Sequence, residues 1–412
     1  MSEWKSVAIA DIAVTKGLVG GPFGSSLVSK DYRPAGVPVI RGVNLATEGR
    51  FNDSEFVFVS PEKVDRDLSR NLAMPGDVIF TQRGTLGQVG IVPSGRYDRY
   101  VVSQSQMRLR VNREVALPEF VYHYFRSPIA VASIKKHAIA TGVPHINLGI
   151  LASLQIPLPH LIVQRGICEV LEALDGKIAV DEAIVGRSHG LLQTLWKKSS
   201  FGVRDFIPVG ELASVDKGLS YKGSGLGSGV PLINLGNFST NGQFKSSALK
   251  YYDGAAKERH WVKRGDLVMA NTDLTQRREI LGRPALALTS AAESLFTHHV
   301  FAIRPHAAAQ DDLLWLYAAF RDPNFRERAV TYATGTTVLA LPRDAVLTYE
   351  LPWPERAVRQ DWNHKARALI DSAAALSSEI EGLSRLRDVL LSGLMSGAIR
   401  VRDAEKAVED AI

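Results

Sequence analysis

The residues of this chain that could do chemistry sit in short polar clusters beside apolar runs. Gln82-Arg83-Gly84-Thr85 follows the run at 78–81, and Gln104-Ser105-Gln106 leads into the run at 107–111. In the second half, Asn271-Thr272-Asp273 and Gln276-Arg277-Arg278 follow a similar run at 267–269. A guanidinium matches guanine O6 and N7, a carboxamide matches adenine N6 and N7, and hydroxyls or backbone N–H groups hold phosphates. Gln82, Arg83, Thr85, Gln104, Gln106, Asn271, Thr272, Gln276, Arg277 and Arg278 are therefore candidate DNA contacts. Ser25, Ser26 and Lys30, beside a glycine turn, are candidate phosphate contacts. The plainer alternative for each is a solvated turn. Lys135-Lys136-His137 reads either as a phosphate patch or, preferably, as a helix C-terminus that positive charge favours.

Catalytic constellations are missing from the sequence. It holds no Gly-x-x-x-x-Gly-Lys-Ser/Thr loop, no His-Glu-x-x-His and no Gly-x-Ser-x-Gly elbow. The glycines of residues 223–229 alternate instead of taking the dinucleotide spacing, so they read as a flexible loop. Asp322-Pro323-Asn324-Phe325 is a partial likeness of the Asp-Pro-Pro-Tyr motif of adenine methyltransferases, but its proline reads as a helix stop. His298, His299 and His306 have no carboxylate or cysteine at ligand spacing, and a strand end is their expected home. No catalytic, cofactor or metal residues are assigned.

Composition sets the wider bounds. At 412 residues, 45% hydrophobic and 22% charged, the chain is long enough for two or three folded domains and is neither disordered nor collagen-like. No run of about 18 apolar residues occurs, which excludes a membrane-spanning helix. Residues 1–5 lack the basic-then-apolar pattern of an export signal, and the single Cys168 excludes an internal disulfide; the expected compartment is the cytoplasm. The net charge is +6, nearly all of it in residues 1–200, which makes a polyanionic partner plausible without identifying it.

The elements that must position the polar clusters occur twice. Val-Pro-Val-Ile-Arg-Gly-Val-Asn (37–44) answers to Val-Pro-Leu-Ile-Asn-Leu-Gly-Asn (230–237), and Pro-Gly-Asp-Val-Ile-Phe (75–80) to Arg-Gly-Asp-Leu-Val-Met (264–269). Phe-Arg-Ser-Pro (125–128), Ala-Thr-Gly (140–142) and Ile-Pro-Leu-Pro (156–159) have counterparts at 320–323, 333–335 and 351–354, in the same order. Each half mixes short β-type runs with turns, then a short helix, then a proline stop that releases a long helical pattern.

Both long patterns carry heptads. The second gives Trp362, Leu369, Leu376, Leu383 and Leu390 on one seam, and Ala366, Ala373, Ile380, Arg387 and Leu394 on the other. The first gives Leu171, Ile178, Val185 and Leu192, then Ile167, Leu174, Asp181, Ser188 and Leu195. A lone apolar stripe cannot bury itself, so the two helices are expected to pair antiparallel as a coiled coil; packing of each on its own globule is the alternative.

The segments Gly-Pro-Phe-Gly-Ser-Ser-Leu (21–27), Pro-Val-Ile-Arg-Gly-Val-Asn-Leu (38–45) and Gly-Asp-Val-Ile-Phe-Thr-Gln-Arg-Gly-Thr-Leu-Gly (76–87), in this order, resemble the specificity subunit of type I restriction-modification enzymes. So do Ala-Thr-Gly-Val-Pro-His-Ile-Asn (140–147) and the Ile-Pro-Leu-Pro entry (156–159) to the first long helix. The second half matches less well: Lys222-Gly-Ser-Gly-Leu-Gly-Ser-Gly forms its glycine segment, and Thr336-Thr337-Val338 stands where the first half has Val143-Pro144-His145.

The resemblance implies an α+β fold in which two similar mixed α/β target-recognition domains are separated by two long helices. It implies domains at 1–160 and 202–355, helices at 161–201 and 356–400 and a tail at 401–412. It further implies a non-catalytic subunit that reads a bipartite site in double-stranded DNA, one half-site per domain, while the helices set the spacer. The implied partners are two methyltransferase subunits, which use S-adenosylmethionine, and restriction (motor) subunits, which use ATP; the chain itself would need no cofactor and no membrane. Two rival readings stay open. A coiled-coil scaffold that binds only protein fits the helices but not the duplicated globules, and a self-contained DNA-modifying enzyme lacks the residues.

Overall fold

The computed structural model of the chain describes residues 4–45, 50–139, 143–221, 223–240, 243–275, 278–336 and 338–412. The chain divides into two compact units, residues 1–180 with 382–412, and residues 181–381.

In the first unit the strands are β1 (Lys5–Ala8), β2 (Ala13–Gly20), β3 (Val37–Ile40), β4 (Val57–Val59), β5 (Leu72–Ala73), β6 (Val78–Thr81), β7 (Val89–Ile91), β8 (Tyr100–Val102), β9 (Gln106–Val111) and β10 (Gln155–Leu158). One sheet has the order β2-β9-β6-β7 and the other β4-β3-β8-β5, while β1 pairs with β10. In the second unit they are β11 (Phe206–Pro208), β12 (Ala213–Lys217), β13 (Leu226–Ile233), β14 (Lys250–Tyr252), β15 (Trp261–Lys263), β16 (Leu267–Ala270), β17 (Thr272–Asp273), β18 (Pro284–Leu286), β19 (Glu293–Phe296), β20 (Val300–Pro305), β21 (Leu339–Ala340) and β22 (Glu350–Pro352). Their orders are β12-β20-β16-β18 and β14-β13-β19-β15, with β11 on β22, so the second unit repeats the first strand for strand. β17 and β21 form an additional pair.

The repeat extends to single hydrogen bonds. Asp77 accepts from the Met74 N–H (2.8 Å) and Asp266 from the Lys263 N–H (2.9 Å), each beyond a glycine with positive φ, Gly76 or Gly265. Asn44 accepts from the Arg41 N–H and Asn237 from the Asn234 N–H, both at 2.8 Å, and both asparagines are fully buried. β3, β6 and β16, which flank these anchors, are buried along their whole length, as strands covered on both faces are.

The long helices span Leu161–Ser200 and Arg356–Met395, 40 residues each, or about 60 Å. In the first unit Leu171, Leu174 and Ile178 are buried, as are Leu383, Leu390 and Leu394, and Arg387 donates to Asp175 at 3.2 Å. In the second unit Leu192, Leu195 and Trp196 share one core with Trp362, Ala366, Leu369 and Ile370. The start of one helix thus meets the end of the other, the antiparallel pairing that the heptads require. Val185 is buried, and Leu376 and Ile380 are half-buried. Trp196, Ile370, Leu391 and Met395 also turn inward, off the heptad seams, because the stripe widens where the helices meet the globules. Gln164 and Arg359 hold matching places at the two helix starts: Gln164 donates to the Pro159 carbonyl at 2.8 Å and Arg359 to that of Pro354.

Several sequence expectations change at the level of elements. The glycine segment is not simply a loop, since 226–229 forms the first half of β13 with a bulge, letting both Leu226 and Val230 pair with Tyr252. Lys222 lies outside the described residues, as do the segment 140–142 and Thr337. Asp322 caps a new helix, Pro323–Thr331, accepting from the Asn324 N–H at 2.9 Å. The expected tail contains the helix Val401–Glu409, whose Ala404 and Val408 are buried. Lys135 and Lys136, by contrast, occupy the last turn of the helix Pro128–Lys136, the helix C-terminus that the sequence favours. No helix among the described residues is long and apolar enough to cross a membrane.

His189, half-buried on the first long helix, is held at a pKa of about 4 by burial and by the charge of Arg321. The unfolded imidazole titrates near 6.5, so between about pH 6.5 and 4 the unfolded chain binds a proton that the folded one does not. Stability therefore falls as pH falls through that window, by about 2–3 kcal/mol in full. His189→Gln should shrink the acid-induced drop in melting temperature of the full chain. An equal drop in both proteins would refute this.

Candidate nucleic-acid interface

In the first unit, turns from both sheets meet at one end. Gly21 donates to the Gln106 carbonyl at 3.0 Å, and a Cβ at Gly21 would lie 1.9 Å from the Ser103 carbonyl, so only glycine fits. The chain then turns at Gly24–Ser26, where Ser25 and Ser26 are exposed, as is Lys30. Gln104 reaches across to this turn, donating to the carbonyls of Gly24 (2.7 Å) and Leu27 (3.1 Å). The Ser105 carbonyl accepts from the N–H groups of Gln82 (2.7 Å) and Arg83 (3.3 Å), and Gln82 in turn accepts from the Ile146 N–H at 3.0 Å. Arg83 bridges to His145.

Segments 24–30, 82–85, 103–106 and 143–147 are thereby gathered into one surface. Arg83 and Thr85 are exposed on it, Gln82 is half-buried, and Gln104 is exposed although its amide is committed to the turn. Gln106 is different: at 1% exposure it accepts the Ser103 hydroxyl inside the protein and serves as a support. Beside Gln104 runs a groove of about 460 Å³ lined by Val28, Tyr32, Arg41, Ser103 and Ser105. Arg41, which did not stand out in the sequence, is held there by a 2.9 Å bond to the Glu55 carbonyl.

The second unit builds the same scaffold with other side chains. Gly218 donates to the Val300 carbonyl (3.2 Å), Asn271 to that of His299 (2.9 Å), and Leu341 to that of Asn271 (2.7 Å). These bonds make Gly218 equivalent to Gly21, Asn271 to Gln82, and the turn 297–300 to 103–106. Asn271 is 2% exposed and donates to the His298 carbonyl at 3.1 Å. Thr272 is 7% exposed and bonded to His299 Nδ1 at 2.9 Å. Both candidates are thus interior supports, held between the turn 297–300 and the segment 339–341 by long-range contacts that the sequence pattern did not reveal.

Asp273 anchors the following loop. Burial raises its pKa, but the N–H groups of Ile280 and Thr275 and the Thr275 hydroxyl outweigh this and keep it below the usual carboxylate value. The loop projects Leu274, 63% exposed. Arg278 is half-buried and donates to the Val330 carbonyl at 3.3 Å, with a positive φ of 55°. Gln276 and Arg277 lie outside the described residues. His298 and His299 occupy the turn between β19 and β20, their rings 3.8 Å apart. The sequence placed them at a strand end but gave no reason to link them to Gln104 and Ser105; the repeat offset was the available signal.

Comparison with known proteins follows the same lines. Residues 1–185 match the type I restriction modification DNA specificity domain. The chain is 26% identical over 222 residues to the type I restriction enzyme HindI specificity subunit of Haemophilus influenzae, a match covering 51% of this chain and 42% of that protein. It is 20% identical to the MjaIX specificity subunit of Methanocaldococcus jannaschii, over 97% of this chain and 94% of the relative. Its fold is similar to the crystal structure of a type I restriction-modification system S subunit from M. genitalium, with a TM-score of 0.55, 16% identity and coverage of 95% and 96% of the two chains. The resemblance read from the motifs is borne out.

Proposed function

We propose that this chain, a type I restriction-modification specificity subunit, reads a bipartite site in double-stranded DNA, each unit taking one half-site through its gathered turns. The observation that carries this reading is one hydrogen-bonded scaffold built twice, with different side chains at the tips: Arg83, Gln104 and Ser105 in one unit, Leu274, His298 and His299 in the other. A shared frame with divergent tips suits two different base sequences, since base edges are read by side chains while the frame holds the register. The paired helices then set the spacer and offer the dock for two methyltransferase subunits, which supply S-adenosylmethionine chemistry in the cytoplasm, with ATP-driven restriction subunits joining for cleavage. The chain contributes no catalytic group of its own. At +6 over 412 residues it makes few phosphate contacts alone, so tight binding needs the partner subunits.

Exchanging residues 1–155 for the matching region of a relative, then sequencing the methylated sites made by the assembled complex, tests this. One half-site should change completely, while the other half-site and the spacer stay as they were. Altered bases in both halves would contradict the division of labour.

A further inference from the structure

We infer that the imidazole pair His298–His299 is the base-contacting tip of the second unit, donating hydrogen bonds to acceptors on a purine edge from the place that Gln104–Ser105 holds in the first. This rests on the DNA-reading function proposed above.

The turns coincide bond for bond. Ser103 N–H donates to the Ile40 carbonyl (3.1 Å) and Gln106 N–H to that of Ser103 (3.1 Å); the counterparts run from Thr297 to Ile233 and from Val300 to Thr297, each at 2.9 Å. Between those anchors stand Gln104-Ser105 in one unit and His298-His299 in the other, so the imidazoles occupy the tip by register and not by proximity alone. Gly21 and Gly218 face the two turns at distances that admit no side chain.

The pair is also held in a defined pose. His299 Nδ1 is bonded to Thr272 Oγ1 at 2.9 Å; with the hydroxyl donating, Nε2 carries the proton and is left as a donor. The His298 ring lies against it, and both rings are partly exposed. His298 Nδ1 has no hydrogen-bond partner among the described residues. Two cations, Lys217 and Lys250, bear on His299. Lys250 in turn reaches the Tyr221 hydroxyl at 3.3 Å. Burial and these like charges lower the His299 pKa, so the ring is neutral near pH 7 and presents a single directed donor. Cations around a neutral donor suit a base edge flanked by phosphates.

The test uses the full chain assembled with the methyltransferase subunits of its own system, and sequencing of methylated sites. His298→Gln and His299→Gln should each lower methylation of the original sites about tenfold or more and admit different bases in one half-site. Gln104→Ala should do so in the other half-site. The untouched half-site is the internal control for folding, and His298→Asn gives a second variant should His299→Gln fail to fold. A split recognition sequence unchanged in bases and rate by the histidine substitutions overturns the imidazole reading alone. Equal weakening on all sequences overturns it too, because the pair would then contact only backbone. A wild-type map without a split sequence overturns the function on which the inference rests.

Discussion

Trp315→Ala is expected to cost about 3–5 kcal/mol, the range for removing a large aromatic from a packed core. That is a large share of the roughly 5–15 kcal/mol that holds a typical domain folded. Trp315 is fully buried at the centre of the second unit's core, its ring 5.8 Å from Trp196 and 5.4 Å from Trp362. These two come from the two long helices, so the substitution removes the ring that ties the helix pair to the globule. It also strips the Pro352 carbonyl of the indole N–H that meets it at 3.0 Å. Trp315→Phe keeps most of the area but loses that bond, and should cost about 1–2 kcal/mol. Trp362→Phe should cost less, because the Trp362 Nε1 has no hydrogen-bond partner among the described residues. Denaturant midpoints with tryptophan fluorescence check the order, and a Trp315→Ala loss below about 1 kcal/mol would refute it.

Asp175→Ala should destabilise the first unit by about 2–4 kcal/mol, whereas Arg387→Leu should be nearly neutral. Asp175 accepts from Arg387 on the other long helix (3.2 Å) and lies 3.5 Å from Arg126, which sits over the Tyr122 ring. All three side chains are less than a fifth exposed. Removing the carboxylate leaves two guanidiniums close together without it, while the remaining Asp388 serves only Arg387, at 2.9 Å. Removing Arg387 leaves Asp175 still facing Arg126 and returns an apolar residue to the one charged position of its seam. Urea unfolding of both variants tests this; the reverse order would show that the ion pair, rather than the buried carboxylate, carries the stabilisation.

Much of this architecture was legible in advance because it depends on local and periodic features. Gly-Asp turns, the Val-Pro pairs of β3 and β13 and the proline stops recur at matching places, and a duplicated sequence folds into a duplicated frame. The helix pairing was legible for a similar reason: a stripe of Leu, Ile and Val every seven residues has to be covered. Arg387 looked like a flaw in that stripe, and only the approach of Asp175, 212 positions away in the chain, explains it.

The sequence by itself determined the repeat, the strand-rich halves, the long helices and their antiparallel pairing, and the absence of catalytic motifs. Tertiary structure alone decided which polar residues face outward. Gln106, Asn271 and Thr272 read as contacts because their types suit base edges, yet each is spent on a neighbouring turn. Arg83 and Thr85 are equally polar and lie at the surface. The difference lies in whether the fold brings a partner, a Ser103 hydroxyl or a His299 ring, to take the polar atom. A buried polar group must find such a partner, and residue type does not say where that partner will be.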